Sequence, residues 1–278
     1  MQIMMDFPML IFHFLPRSHV SLLLPSLRKP MLISALCYHR NLTVLDSLTV
    51  NRATLIFTTP RPLLALKHVT LIQCDGTLDT LLTQSRYFPS LKVLALLDDE
   101  QYYDTVGNTD ILSQLDLFIG KPRSLKEEVL KAHADKVLSA YRYDNFATGP
   151  ILRSNIPHFR FRVSYLDIET ADQAEDLYEA LMDIRGYIKL SSRTGTPLKT
   201  LFLDQGLRDA LDPYRFTQVT YDGLIELCKE QGIEVILEEQ AILDFADSAV
   251  TPELLRWMDR RKEKAKISLD AESEMETR

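Results

Sequence analysis

Apolar residues along this chain fall into short bursts of one form, L-x-x-L-x-L, separated by polar or helical stretches. "LKVLAL" places Leu91, Leu94 and Leu96 in that pattern. The same form recurs as "LDSLTV" (Leu45, Leu48, Val50), "LKHVTL" (Leu66, Val69, Leu71), "LSQLDL" (Leu112, Leu115, Leu117), "IPHFRF" (Ile156, Phe159, Phe161) and "LKTLFL" (Leu198, Leu201, Leu203). Weaker copies begin at Ala134 and Gly232. The starts at 45, 66, 91, 112, 134 and 156 are 21, 25, 21, 22 and 22 residues apart; 198 and 232 follow after gaps of 42 and 34. Any one match is uninformative in a Leu-rich chain, but the regular spacing is not. Each burst reads as a short strand that turns its second and third apolar residues to one side, with the first packed at the bend. One such unit cannot bury its own apolar face, so the units must stack.

Between the bursts the period changes to that of a helix. Thr77–Phe88 and Ser124–Ala134 read as short helices, the second with Ser124 as N-cap and Glu127 three residues on. Thr170–Ile188 reads as a long amphipathic helix with Leu177, Ala180, Leu181 and Ile184 on one face. Thr220–Gly232 is another, ended by Gly232. Near the C-terminus, Thr251 is a natural N-cap with Pro252 at the first helical position. Leu254, Leu255, Trp257 and Met258 would then close the end of the core. The expected organisation is an N-terminal helical cap over 1–40, a repeat domain over 41–250, and a capping helix with a disordered acidic tail over 251–278.

Charge and composition narrow the function classes. Residues 1–150 hold 15 Lys+Arg and 14 Asp+Glu, and the remainder 17 and 25, so the formal −7 resides in the second half. No broad basic field for nucleic acid is present. Only 9 glycines in 278 residues is sparse for a fold built on phosphate loops. Cys37, Cys74 and Cys228 make no disulfide framework and read as reduced thiols of a cytoplasmic or nuclear protein. The apolar run Phe7–Leu15 is nine residues long, too short to cross a bilayer, and Asp6 stands where a signal peptide would carry a basic residue. It reads as a buried helix.

Residues 45 to about 240 resemble the leucine-rich-repeat family, in the irregular form of many fungal F-box-associated proteins. Cys74 falls at the family's Asn/Cys position, three residues after Leu71, whereas Ala53, Asp99, Gly120, Ser164 and Gly206 occupy the corresponding places in the other copies. The regular ladder of that position is therefore missing. Residues Asp6–Lys29 resemble a shortened F-box: Phe7-Pro8 stands for the opening dipeptide, and Ile11-Phe12 with Leu15 for the helix that follows, although Pro8 lies too close to Ile11. The resemblance implies an α/β solenoid with one parallel sheet and helices on the outer, convex side. It also implies substrate recruitment in a cullin-type ubiquitin ligase, through a Skp-type adaptor bound by residues 6–29.

Candidate chemistry is thin beside this. Asp98, Asp99 and Glu100 follow a strand, where α/β enzymes place metal-binding or acid–base carboxylates, and a small α/β enzyme using them is the competing reading. Cys37 and His39 lack the second pair that zinc needs. Neither a G-x-G-x-x-G nor a G-x-x-x-x-G-K-[ST] occurs, so no cofactor or metal is expected. Non-catalytic protein recognition is the expected function. The outward positions on stacked strands would line a concave face: Val93, Ala95, Leu97, Phe118, His158, Arg160, Arg162 and Phe202. Large apolar groups beside Arg suit a protein partner. A loop or helix of the same chain laid over these residues is the alternative.

Overall fold

The structure is a computed structural model. It describes residues 12–14, 19–23, 30–32, 46–51, 54–56, 62, 64–72, 75–76, 88–97, 109–120, 127–143, 156–163, 168, 170–194, 197–239 and 249–276. The strands are β1 (Phe12–Phe14), β2 (His19–Leu23), β3 (Pro30–Leu32), β4 (Ser47–Asn51), β5 (Thr54–Ile56), β6 (His68–Ile72), β7 (Asp75–Gly76), β8 (Val93–Leu97), β9 (Leu117–Gly120), β10 (Val137–Tyr143), β11 (His158–Val163), β12 (Thr200–Asp204) and β13 (Glu234–Glu238). The helices are α1 (Thr109–Gln114), α2 (Glu127–His133), α3 (Ala171–Thr194), α4 (Leu207–Ala210), α5 (Arg215–Glu230) and α6 (Pro252–Glu276), with a 3-10 turn at Ala134–Lys136.

One ten-stranded sheet runs in the order β1-β2-β4-β6-β8-β9-β10-β11-β12-β13. Every pairing in it is parallel except that of β1 with β2. The chain is therefore α/β with a parallel sheet whose strands follow chain order without a crossover. A second ladder of three short strands, β3-β5-β7, runs beside the first. Its pairings keep step with the main ladder: Asn51 pairs Ile72 in one, and Thr54, three residues on, pairs Asp75 in the other.

The residue that follows the first apolar position of each burst hydrogen-bonds to its counterpart in the next. The Lys67 N–H donates to the Asp46 carbonyl at 2.8 Å, Lys92 to Lys67 at 2.7 Å, Asp116 to Lys92 at 2.9 Å and Lys199 to Pro157 at 2.7 Å; on β13 the bond to Lys199 comes instead from Glu234, the counterpart of Thr200, at 2.9 Å. The preceding Leu66, Leu91, Leu115, Ile156 and Leu198 are buried at the strand entrances. The copies at 45, 66 and 91 and those at 156, 198 and 232 thus stand in the register that the spacing predicts, whereas the copy at 134 is two residues out of step with the copy at 156, since Ser139 and not Val137 pairs Phe159.

One copy needs correction. Asp116 lies opposite Lys92 and Phe118 opposite Leu94, so the fourth unit begins at Leu115 and not at Leu112, which belongs to α1. Its third apolar position is Gly120, where a Cβ would stand 3.2 Å from the Leu96 carbonyl oxygen and from the Phe118 ring. A side chain there would press on both neighbours, and with glycine in place of leucine the pattern is legible only in the wrong frame. Because side chains alternate along a strand, the shift moves Phe118 to the opposite face of the sheet from the one expected.

Two terminal expectations also change. Residues 12–14, 19–23 and 30–32 are strands where a helical cap over 1–40 was expected. The acidic tail is not disordered after Lys266: α6 runs to Glu276. Elsewhere the local signals hold. Leu177, Ala180, Leu181 and Ile184 are buried on α3. Thr170 and Gln173 form a reciprocal capping box, each backbone N–H bonded to the other's side chain at 3.2 Å. Gly232 adopts φ +68° after α5. Helices α3 and α5 pack on the face carrying Phe159, Phe161, Leu201 and Leu203. The second expected helix starts at Glu127, and Thr77–Tyr87 lie outside the described residues.

Candidate functional site

The register puts Val93, Ala95, Leu97, His158, Arg160, Arg162 and Phe202 on one face of the sheet, together with Leu117, Ile119, Leu138, Ile236 and Glu238. Seven of the eight expected face residues are thereby brought together, and Phe118 is not. The face is not open. Val93, Ala95 and Phe202 are fully buried, His158 and Arg160 nearly so, and Leu97 and Arg162 partly exposed.

The cover is α6. Leu254, Trp257 and Met258 form one cluster with Val93, Ala95, Leu117, Ile119, Leu138, Phe202 and Ile236. These three side chains were expected to close the end of the core; instead they lie across strands from β8 to β13. Spacing of i, i+3, i+4 puts them on one side of the helix. Trp257 meets His158 edge-on at 4.9 Å and Phe202 at 5.2 Å, and Arg261 caps the indole at 4.7 Å. The His158 Nδ1 lies 3.1 Å from the Thr200 hydroxyl. Burial, aided by the charges of Arg261 and Lys199, lowers the imidazole pKa to about 3. His158 is therefore a neutral packing group at any ordinary pH.

A polar chain fastens the start of α6 to the sheet. Arg160 donates from Nε and Nη2 to the two oxygens of Glu238 at 2.6 Å each, and from Nη1 to the Ala249 carbonyl at 2.7 Å. The Thr251 hydroxyl donates to Glu238 at 2.5 Å and accepts the Leu254 N–H at 3.2 Å. The N-cap that the sequence predicts is thus also the link from helix to ion pair. Burial alone would raise the Glu238 pKa, but the bidentate Arg160 outweighs it and holds the carboxyl below its usual range. Asp204, beside it on β12, accepts the Val163 N–H at 2.8 Å and lies 3.8 Å from Arg162. There burial wins, and the pKa rises to about 6.

The helix cover is the alternative that the sequence left open; Glu238, and the identity of the covering helix as α6, are what sequence reasoning missed. The Arg160–Glu238 pair spans 78 residues, and no local pattern reports it. Among the described residues, no group of three or more His, Cys, Asp or Glu side chains is placed to hold a metal ion, and no helix is long and apolar enough to cross a membrane. Asp98, Asp99 and Glu100, the residues of the competing enzyme reading, lie outside the described residues, as do Cys37, His39 and Cys74. Cys228 is buried in the α5 core, and burial pushes its thiol up to about 11.

The class that fold and site define is α/β, a parallel sheet with one face under its own C-terminal helix. Comparison with protein-family models, with curated proteins and with solved structures finds no match.

Proposed function

We propose that the chain is a non-catalytic protein-recognition scaffold whose units stack as a leucine-rich-repeat-like solenoid. The observation that carries this reading is the strand order, which follows the chain from β2 to β13, with the L-x-x-L-x-L copies at 45, 66 and 91 and those at 156, 198 and 232 in register. Stacked repeats require that order, because each unit contacts only its neighbours. The second ladder supports it too, since successive units contribute an equivalent short strand. Such arrays present broad surfaces to protein partners.

Affinity capture with the full chain, followed by reconstitution with each captured protein in pure form, tests the reading. Saturable binding at micromolar affinity or tighter is expected. Failure of every candidate to reconstitute would refute it. The more specific role, substrate recruitment in a cullin-type ubiquitin ligase, needs residues 6–29 to form a helical adaptor-binding segment. The strands Phe12–Phe14 and His19–Leu23 weigh against that. A pure Skp-type adaptor that fails to bind the full chain would remove the ligase role and leave the scaffold reading intact.

A further inference from the structure

The covering helix differs from every other part of the core. It belongs to no connection between strands and contributes no strand, and the backbone ladders are complete without it. Its buried apolar contacts are Leu254, Trp257 and Met258, with Leu255 partly buried beside them. The next turn carries three consecutive cations, each meeting a different element. Arg260 bonds Glu234 on β13 at 2.8 Å, Arg261 bonds the Asp135 carbonyl before β10 at 2.6 Å, and Lys262 bonds Asp116 before β9 at 2.8 Å. The face is thus a floor of apolar residues interrupted by His158 and the Arg160–Glu238 pair, with an acidic rim, fitted to a helix with apolar residues at i, i+3, i+4 and a basic turn after them. The fit is imperfect. The buried Trp257 Nε1 has no hydrogen-bond partner among the described residues, and the side chains of Arg260 and Lys262 are about half exposed. Beyond Lys262 the helix leaves the sheet, and residues 263–268 are exposed.

We infer that this face is a receptor for a basic amphipathic helix of a protein partner, and that α6 occupies it in cis as an autoinhibitory stand-in. The inference deepens the scaffold reading and rests on it. A tethered helix competes at an effective concentration on the order of millimolar, so a partner gains access only when α6 is displaced.

The probe is a fluorescein-labelled peptide of residues 249–276, titrated into the full chain and followed by anisotropy. Trp257→Ala weakens the tethered copy and leaves the floor intact. The peptide is expected to bind that variant at least about tenfold more tightly than the unaltered chain, given the effective concentration it no longer faces. Arg260→Glu with Lys262→Glu, at half-exposed positions, is a second variant for the case in which loss of Trp257 prevents folding. A gain of about threefold or more is expected there, the size of one surface ion pair. Equal affinity of the peptide for all three folded chains overturns the inference. So does concentration-dependent dimerisation of the unaltered chain with Trp257 still shielded, which would place a second copy's helix on the face. A partner that binds while acrylamide quenching of Trp257 stays unchanged would keep the scaffold reading and overturn this one alone.

Discussion

The two faces of the C-terminal half of the sheet are both covered by helices, but in different ways. On one face α3 and α5 belong to the connections between strands, and the core beneath them is apolar: Phe159, Phe161, Leu181, Ile184, Leu201, Leu203, Leu224. On the other face α6 is the last element of the chain, and beneath it sit a neutral histidine, a buried Arg160–Glu238 pair and an aspartate held partly protonated near neutrality. The first cover is part of the repeating architecture. The second is an addition held by three apolar side chains and a polar fastening at its N-terminus. Buried ion pairs add little net stability over an apolar core of the same volume, but breaking one is costly. Loss of either partner of the Arg160–Glu238 pair is therefore penalised.

The largest expected effect breaks that fastening. Glu238→Gln leaves Arg160 buried without its counter-charge and should cost about 3–5 kcal/mol. The loss should appear in denaturation together with increased acrylamide quenching of Trp257. On the opposite face, Leu203→Ala should cost about 2–5 kcal/mol through the cavity it leaves. It should do so without raising Trp257 quenching in the native state. If the two variants expose Trp257 equally, the faces are not independent.

Next in size is the pH dependence, which separates Asp204 from His158. The Asp204 pKa is about 6 when folded and ordinarily near 3.8, so the folded chain keeps a proton that the unfolded chain has lost. Its contribution therefore falls as pH rises from about 4 to about 6, by roughly 3 kcal/mol in all. His158 has the opposite sign. Its folded pKa is about 3 against 6.5, so the unfolded chain takes up the proton first and stability falls as pH falls through that window. The two oppose each other in the native protein. Asp204→Asn should gain stability relative to the unaltered chain between pH 4 and pH 7, whereas His158→Gln should lose relative stability over the same rise. Urea titrations at the two pH values decide this, and parallel shifts in both variants would contradict it.

Thr251→Ala removes a helix cap and one hydrogen bond to Glu238, and should cost about 0.5–2 kcal/mol. At the small end, Lys262→Ala removes a half-exposed pair with Asp116 and should change the free energy of unfolding by less than about 1 kcal/mol.

Much of this fold was legible in the sequence. The parallel strands came from bursts whose second and third apolar residues are buried, as at Leu94 and Leu96, and helix α3 came from its 3.6-residue stripe. Gly232 and Thr251 marked helix ends because the chemistry of each is local. The misreadings have physical causes. Leu112, Leu115 and Leu117 fit the motif three residues ahead of the frame that the pairing of Leu94 with Phe118 sets, where glycine stands at the third position, Gly120. The short strands β3, β5 and β7 have two or three residues, too few for alternation to register. For the site, the face residues apart from Phe118 could be read from alternation. A helix laid over them was the open alternative, but that α6 is the cover could not be read: an amphipathic stripe at 254, 257 and 258 says that a helix buries one side, not which surface receives it. Glu238 was hidden because its partner lies on another strand and nothing near it in the chain points there.

Trp257 is the chain's single tryptophan, which makes its fluorescence a direct report on the covered face. Acrylamide quenching of the native full-length chain, compared with the same chain in urea, tests whether α6 closes that face. Blue-shifted emission with a quenching constant several-fold below the denatured value is the result expected of an indole 1% exposed between His158 and Phe202. Native emission and quenching equal to those in urea would contradict the helix cover and return the sheet face to solvent.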